Sequence, residues 1–174
     1  MLANKHRLVS GWLGCFMKKI NLAAVPIEAG RSPKGRYRRF RQDITAAMRA
    51  TNGEKTRALP WPFELELVRL PPRAVNWPYH SHSAQWELYL IISGRGQVRT
   101  PSGLSEVREG DCLTHPSGEP HQLTNTGATD LLYYVIADNP VTDACHYPDS
   151  NKWELPDHDQ PVRVVPVAYY DGEE

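Results

Sequence analysis

The sequence has few cysteines, and their placement excludes two common ways of holding a small fold together. There are three of them, Cys15, Cys112 and Cys145, at long spacings and without a CxxC pair. An odd number of widely spaced cysteines argues against a disulfide framework and against a zinc knuckle. We therefore predict reduced thiols in a cytoplasmic protein.

Net charge and long apolar runs are also missing. Lys and Arg together number 20 and so do Asp and Glu, which gives a net charge of zero and no overall attraction to nucleic acid or an anionic membrane. No apolar run approaches the ~20 residues that a membrane-spanning helix needs. We expect neither nucleic acid nor a membrane as a partner.

The first sixteen residues, MLANKHRLVSGWLGCF, have a faint export-like texture. Their apolar run is short, glycines interrupt it, and no A-x-A-like cleavage site follows. A lipoprotein box is disfavoured because the bulky Trp12 stands where such boxes carry a small aliphatic residue. We expect a disordered leader, or a natural start at Met17.

The content of proline and glycine favours short strands joined by turns. The 174 residues include 15 prolines and 12 glycines, many for a helical protein. From about residue 60 to 138, short segments such as FELELVRL and LLYYVIAD alternate with turns, and GQVRT and LSEVREG flank a hairpin turn. The predicted fold class is all-β, an antiparallel sandwich or barrel.

The segments that flank this region are predicted to be arms of one domain. Residues 42–51 are the best helix candidate, and the basic run RSPKGRYRRFR at 31–41 is interpreted as a solvated arm or edge, with an anion contact as the alternative. The predicted division is a leader at 1–16, an N-terminal arm at 17–59, a barrel at 60–140 and a polar, proline-rich tail at 141–174.

Two histidines one residue apart, His80 and His82, precede Glu87, and an apolar run follows this glutamate. Residues i and i+2 of a strand point to the same face, with Cα atoms roughly 6.5–7 Å apart, so two imidazoles can converge on one ion. The same parity puts Tyr89 and Ile91 on the face of Glu87. An HxH pair alone is a weak signal, because so short a motif arises by chance.

A second stretch, GDCLTHPSGEPHQLTN at 110–125, supplies the missing evidence. Together the two stretches resemble the two motifs of the cupin family. The residues that match the first motif are His80, His82, Glu87 and Gly94, and those that match the second are Gly110, Pro116, Gly118, His121 and Asn125. The glycine that often opens the first motif is replaced here by Arg73 or Ala74, at a turn and not at a ligand.

The resemblance covers about residues 60–140 and implies a double-stranded β-helix, the jelly-roll cupin barrel, here with a short N-terminal helix and extended tails. It also implies one divalent transition metal held by His80, His82, Glu87 and His121. Three neutral imidazoles and a carboxylate suit Fe, Mn, Ni, Co, Cu or Zn better than Mg or Ca. Four protein ligands on a six-coordinate ion would leave two positions for water or substrate.

Several residues are candidates for the pocket around such a metal. We expect a mostly apolar wall with Tyr89, Ile91 and Leu123 on inward parity, and a small dicarboxylate or keto acid as the ligand. His115 is interpreted as a hydrogen-bonded wall residue and Asn125 as a strand-end hydrogen bonder. The pocket candidates are Tyr89, Ile91, His115, Leu123 and Tyr133, with Tyr79, Gln85 and Trp86 near the rim.

Two functions stay open, as for the small bacterial single-domain cupins that are described as sugar-phosphate-isomerase-like. The first is a metal-dependent enzyme on a small polar metabolite, either an isomerase of a sugar, sugar phosphate or keto acid, or an Fe(II) dioxygenase. The second is a non-catalytic module that binds or senses a carboxylate or sugar. We also expect a homodimer, with residues 17–30 or the 139–170 tail at the interface.

Overall fold

A computed structural model describes residues 17–50 and 61–174, so the predictions made for residues 1–16 lie outside the described residues. The described residues form one α-helix and twelve strands, with 3₁₀ turns at Leu22–Ala24 and Pro148–Ser150. In chain order the elements are β1 (Glu28–Arg31), β2 (Arg38–Asp43), α1 (Ile44–Ala50), β3 (Phe63–Leu70), β4 (Ser81–His82), β5 (Glu87–Ser93), β6 (Arg95–Thr100), β7 (Gly103–Arg108), β8 (Cys112–His115), β9 (Gln122–Asn125), β10 (Leu131–Asp138), β11 (Cys145–Tyr147) and β12 (Lys152–Glu154).

The strands form three antiparallel sheets. One sheet has six strands in the order β1-β2-β3-β10-β5-β8, and the other two have the orders β12-β11-β4 and β7-β6-β9. The predicted hairpin is present, since β6 pairs with β7 and Thr100 lies opposite Gly103. This arrangement is a jelly-roll barrel, so the all-β prediction from sequence is confirmed.

The predicted short helix is also present, as α1 within residues 42–51. Asp43 caps its first turn, because its Oδ1 accepts a hydrogen bond from the Ala46 amide at 2.7 Å. The helix lies on the outer face of β3, where Thr45 Oγ1 accepts from the Leu65 amide at 2.8 Å. Among the described residues, no helix is long and apolar enough to cross a membrane.

Strand β3 has an unusual polarity that shapes the barrel interior. Val68 and Leu70 are fully buried on its inner face, and by strand parity Glu64 and Glu66 lie on that same face. Leu65 and Leu67 therefore point outward. Leu65 shares a groove there with residues of α1 and of the segment before β1, namely Ile20, Leu22, Ile44 and Met48, and with Tyr134 and Ile136. Two glutamates consequently face the inside of the barrel.

The apolar core fills the barrel below these glutamates. Tyr89 packs on Tyr133 with ring centroids 5.3 Å apart, and Asn76 donates a hydrogen bond to the Tyr133 hydroxyl. The core side chains are Val68, Leu70, Ala74, Tyr89, Ile91, Val98, Val107, Leu123, Leu131, Tyr133 and Val135.

The basic segment 31–41 is not a freely solvated arm. Its second half is β2, which pairs with β3, while β1 forms the sheet edge. Arg41 lies between two carboxylates, Glu28 at 2.7 Å and Glu66 at 2.9 Å, and the Arg39 guanidinium lies 4.0 Å from the ring centre of Trp77. Only Arg31, at the end of the edge strand β1, fits the interpretation as an edge. The arginines of β2 are half-buried and contact other groups of the molecule.

The motif residues outside the metal set shape turns. Gly94 and Gly110 both have φ +88°, and Gly118 has φ +82°, backbone conformations that favour glycine. Asn125 donates from Nδ2 to the carbonyl oxygens of Leu70 and Thr129, both at 2.8 Å. Arg73, where the cupin pattern often has glycine, also has a positive φ of 63°.

Candidate metal centre

His80 and His121 face each other at one end of the barrel. Their backbones exchange two hydrogen bonds, of 3.2 and 2.8 Å, and their ring centroids are 4.6 Å apart. His82 ends β4 and Glu87 begins β5, so both flank this pair from neighbouring strands. The two sequence motifs therefore meet at one place in the fold.

The three imidazoles are oriented in the same way. Each Nδ1 contacts an oxygen that can accept a hydrogen bond, and the tautomer with its proton on Nδ1 has Nε2 free to bind a metal. The contacts join His80 to the carbonyl oxygen of Pro78 at 2.8 Å, His82 to Oδ2 of Asp143 at 2.6 Å and His121 to the carbonyl oxygen of Glu119 at 3.2 Å.

Glu87 is the carboxylate at the centre of this arrangement. Its Oε2 lies 2.7 Å from His121 Nε2 and 3.9 Å from His82 Nε2. The Tyr89 hydroxyl lies 3.2 Å from both Glu87 Oε2 and His121 Nε2. His80, Glu87 and His121 offer ligand atoms within 4.8 Å of one another, as a metal site requires.

His82 belongs to a second, overlapping group. Its ligand atom lies within 4.8 Å of those of His80 and Cys145. The structure thus brings three of the four sequence-predicted ligands, His80, His82 and Glu87, to one cavity, with His121 against Glu87 behind it, and adds a thiol beside His82. Whether all four bind one ion stays a prediction.

The pKa values of His80 and Glu87 suit the binding of a transition metal. Burial, with a smaller contribution from His121, lowers the pKa of His80 to about 4, so this imidazole is neutral. Burial raises the pKa of Glu87, but the hydrogen bond to His121 and the other imidazoles outweigh it and hold that pKa at about 2. Neutral imidazoles and an ionised carboxylate are the forms that bind such ions.

A cavity of about 180 Å³ opens above the ligands. None of its described lining residues is Arg or Lys, and four of them are glutamates. They are Glu64, Glu66, Trp77, His80, His82, Glu87, Val135, Ala137, Cys145, Tyr147 and Glu154.

Two of the four glutamates, Glu64 and Glu66, come from the inner face of β3. Across the sheet, Glu64 and Glu87 lie on either side of Ala137, and Glu66 and Tyr89 on either side of Val135. Burial raises the pKa of Glu66 to about 7, although Arg41 opposes the shift. Burial also raises the pKa of Glu64.

The expected apolar wall differs from the one observed. Tyr89, Ile91 and Leu123 are each 1% exposed and belong to the core, as does Tyr133, and none of them lines the cavity. Their parity is inward as predicted, but they lie deeper than the cavity floor. Whether a ligand reaches these residues stays a prediction.

His115 lies behind the ligands rather than in the cavity wall. Its ring stacks on His121 at 3.9 Å between centroids and 9° between planes, and burial lowers its pKa to about 3. Its Nδ1 lies 3.5 Å from Glu119 Oε1, while its buried Nε2 has no hydrogen-bond partner. A neutral His115 supports the His121 ring by packing.

Sequence analysis missed the contribution of the C-terminal tail. Asp143 accepts from the amides of Ala84 and Gln85 at 2.8 and 3.2 Å while its other oxygen holds His82. Burial raises the pKa of the Cys145 thiol to about 12. Strand β11 brings this tail to the site by pairing with β4, and no local pattern in the sequence indicates that pairing.

Comparison with known proteins identifies the class of the barrel. Residues 66–137 match the family model of the cupin domain, so the chain carries a cupin domain and the predicted resemblance is confirmed. The chain is 32% identical over 69 residues to a protein of Thermotoga maritima named oxalate-binding protein; the match takes in 40% of this chain and 56% of that relative, about half its length.

Two solved structures share the fold over most of the chain. One is described as a sugar phosphate isomerase of the cupin superfamily from Silicibacter pomeroyi, with a TM-score of 0.67, 21% identity, and coverage of 87% of this chain and 97% of that one. The other, from Acidithiobacillus ferrooxidans, is described as a candidate sugar phosphate isomerase, with a TM-score of 0.66, 18% identity, and coverage of 83% and 92%. At these identities the likeness shows the fold alone.

Proposed function

We propose that this protein is a metal-dependent enzyme that isomerises a small, uncharged hydroxy-carbonyl compound, such as an unphosphorylated sugar. The observation that supports the proposal is the cavity itself. His80 and Glu87 line it and form a ligand group with His121, and its wall is acidic, without Arg or Lys among the described lining residues. The residues present fit a transition metal held by His80, His82, Glu87 and His121.

The charge of the wall favours a neutral substrate. A phosphate group carries negative charge and is usually bound by Arg, Lys or backbone amides, and glutamates repel it. Glutamates instead accept hydrogen bonds from hydroxyl groups. The volume of about 180 Å³ equals that of about six waters at ~30 Å³ each, which limits the ligand to a small metabolite.

The bound metal would supply a Lewis acid that polarises a carbonyl oxygen and stabilises developing negative charge. The chain supplies the proton carrier. Glu66 lines the cavity, its pKa is about 7, and its Oε1 is held by Arg41 at 2.9 Å. A carboxyl group that titrates near neutral pH can both take and return a proton, which an isomerisation requires.

A non-catalytic function is the second candidate, favoured by the relative named oxalate-binding protein. Oxalate is small enough for the cavity, and its two carboxylates can chelate an ion. Its charge is the feature that the acidic wall disfavours. The two functions therefore differ in ligand charge as well as in turnover.

Thermal unfolding of metal-loaded and chelator-treated protein separates these functions. Neutral pentoses and hexoses should raise the Tm of the metal-loaded form only, by the equivalent of about 2.7 kcal/mol at a hundredfold excess over Kd. Their phosphates should not. A shift with oxalate alone would favour the binding module.

Turnover is tested in D₂O by following deuterium incorporation into the sugar by NMR. Glu66→Gln should lose incorporation while keeping its metal, and the exposed Glu109→Gln serves as the matched control. The enzyme proposal is wrong if no sugar in the panel shifts the Tm or exchanges its proton.

A further inference from the structure

We propose that Cys145 is a direct ligand of the metal, so that the centre is a mixed imidazole–thiolate site. This inference rests on the proposed metal centre, since it adds a ligand to the same ion. The set implied by the family resemblance contains three histidines and a glutamate, and no sulfur.

The backbone places the thiol beside His82. Strand β11 pairs with β4 so that Cys145 lies directly opposite His82, and His146 opposite Ser81. Residues directly opposite in an antiparallel pair point to the same face, with Cβ atoms about 4.5–5.5 Å apart. Strand register therefore holds the thiol near the imidazole.

The side chains complete a ligand group. The ligand atoms of His80, His82 and Cys145 all lie within 4.8 Å of one another, and all three residues line the cavity. Cys145 is only 9% exposed, and it shares a side-chain hydrogen bond with Tyr147. Because Asp143 holds Nδ1 of His82 at 2.6 Å, Nε2 remains as its ligand atom.

His80 connects the two groups of ligands. It belongs both to the group with Glu87 and His121 and to the group with His82 and Cys145. One ion beside His80 is therefore within reach of ligands from both groups.

The chemistry of sulfur predicts which metals the site prefers. On binding, the thiol gives its proton to solvent and the thiolate sulfur bonds the ion. Thiolate is a soft ligand that favours zinc and other thiophilic ions over Mn²⁺ and Mg²⁺, which prefer oxygen. The site should thus select against Mn²⁺ more strongly than a histidine–carboxylate set does.

Cobalt substitution tests the sulfur ligand without reference to activity. The full chain is stripped with chelator, loaded with Co²⁺, and measured for bound cobalt and for a near-ultraviolet sulfur-to-cobalt charge-transfer band. We expect the band in the wild type and in Cys15→Ser/Cys112→Ser, which keeps only Cys145. Cys145→Ser and Cys145→Ala should lose it.

The possible outcomes separate this inference from the metal centre itself. Bound cobalt without the band, or a band that persists in Cys145→Ser, overturns the thiolate ligand and leaves the metal centre standing. Absence of any bound cobalt overturns both. Zinc K-edge absorption of the wild type needs no variant, and it should show a sulfur neighbour at about 2.3 Å.

Metal preference gives a second readout on the same variant. Loss of a residue that only supports a ligand already lowers metal affinity roughly tenfold or more. Cys145→Ser removes a ligand itself, so it should lower the affinity for Zn²⁺ by more than this. Its affinity for Mn²⁺ should change little, because manganese gains little from the thiolate. Equal losses for both ions would contradict a sulfur ligand.

Discussion

Single residues around the site act mainly by fixing the orientation of the ligands. Asp143 is the clearest example, because it holds both the imidazole of His82 and the backbone of the following turn at Ala84 and Gln85. Its pKa stays low, since these hydrogen bonds outweigh the effect of burial. An ionised carboxylate on Nδ1 orients an imidazole and makes it a better ligand.

Asp143→Asn should therefore weaken metal binding without unfolding the chain. Loss of a carboxylate partner of a ligating histidine typically lowers metal affinity 10–100-fold, and we expect about that range here. Competition with a fluorescent chelator measures the effect. Asp149→Asn is the matched control, because Asp149 lies in the same tail but forms its ion pair with Arg99, at 2.7 Å, and not with a ligand. An equal loss of metal affinity in both variants would contradict the role assigned to Asp143.

Glu66 should make the stability of the metal-free protein depend on pH. Its pKa rises from 4.5 unfolded to about 7 folded, so the folded state binds the proton more tightly between these values. Stability should fall as pH rises from 4.5 to 7, by about 1–3 kcal/mol. Urea unfolding of the metal-free variants measures this decrease in stability. Glu66→Gln should lack the part that Glu66 contributes, whereas Glu109→Gln should show the same decrease as the wild type. Identical pH profiles for the wild type and Glu66→Gln would refute the role of Glu66.

At the scale of elements, the fold depends on turns that only some residues tolerate. Gly94 and Gly110 have the same φ of +88°, but their surroundings differ. A Cβ at Gly94 would lie 2.5 Å from the Asp130 carbonyl oxygen, whereas a Cβ at Gly110 meets nothing within 4 Å.

Gly94→Ala should consequently cost more stability than Gly110→Ala. Gly110→Ala meets backbone strain alone, about 1–2 kcal/mol, while Gly94→Ala adds a clash with fixed backbone and should exceed ~3 kcal/mol. Chemical denaturation of both variants gives the comparison, in which each is the other's control. Similar losses would mean that the strand end near Asp130 can move aside.

The elements also show what sequence could and could not predict. Turn residues and period-two strands are local signals, and they correctly indicated the hairpin and the all-β barrel. The short helix was indicated by residues 42–51 themselves, and the grouping of His80 with Glu87 by the resemblance to the cupin motifs. The sequence did not show which face of β3 points inward, because an alternating strand leaves this open until α1 is known to pack against Leu65 on the outer face. The roles of Cys145 and Asp143 were missed because their positions depend on the pairing of β11 with β4. These two strands are more than sixty residues apart in the sequence, so no local pattern predicts the pairing.

At the scale of the whole molecule, several apolar side chains of the C-terminal tail are exposed to solvent. Val165 is 72% exposed, Val167 70% and Tyr169 88%. Exposed apolar residues clustered in one segment indicate a surface for another protein. We keep the prediction of a homodimer to which this tail contributes.

Sedimentation velocity at micromolar concentration checks the assembly. The wild type should sediment as a dimer, and Val165→Glu/Val167→Glu should shift it to monomer by placing charge in the interface. The paired change Leu104→Glu/Glu106→Gln, on the exposed strand β7, is the control and should leave the dimer intact. A monomeric wild type would contradict the prediction.

The metal centre is tested most directly by elemental analysis of the full chain purified without chelator. We predict about one transition-metal ion per chain, as expected for a site with three imidazoles and one carboxylate. His80→Ala should lose most of it, because His80 belongs to both ligand groups, while the exposed His158→Ala should keep it. A wild type without metal, even after reloading, or full occupancy in a folded His80→Ala would contradict the account.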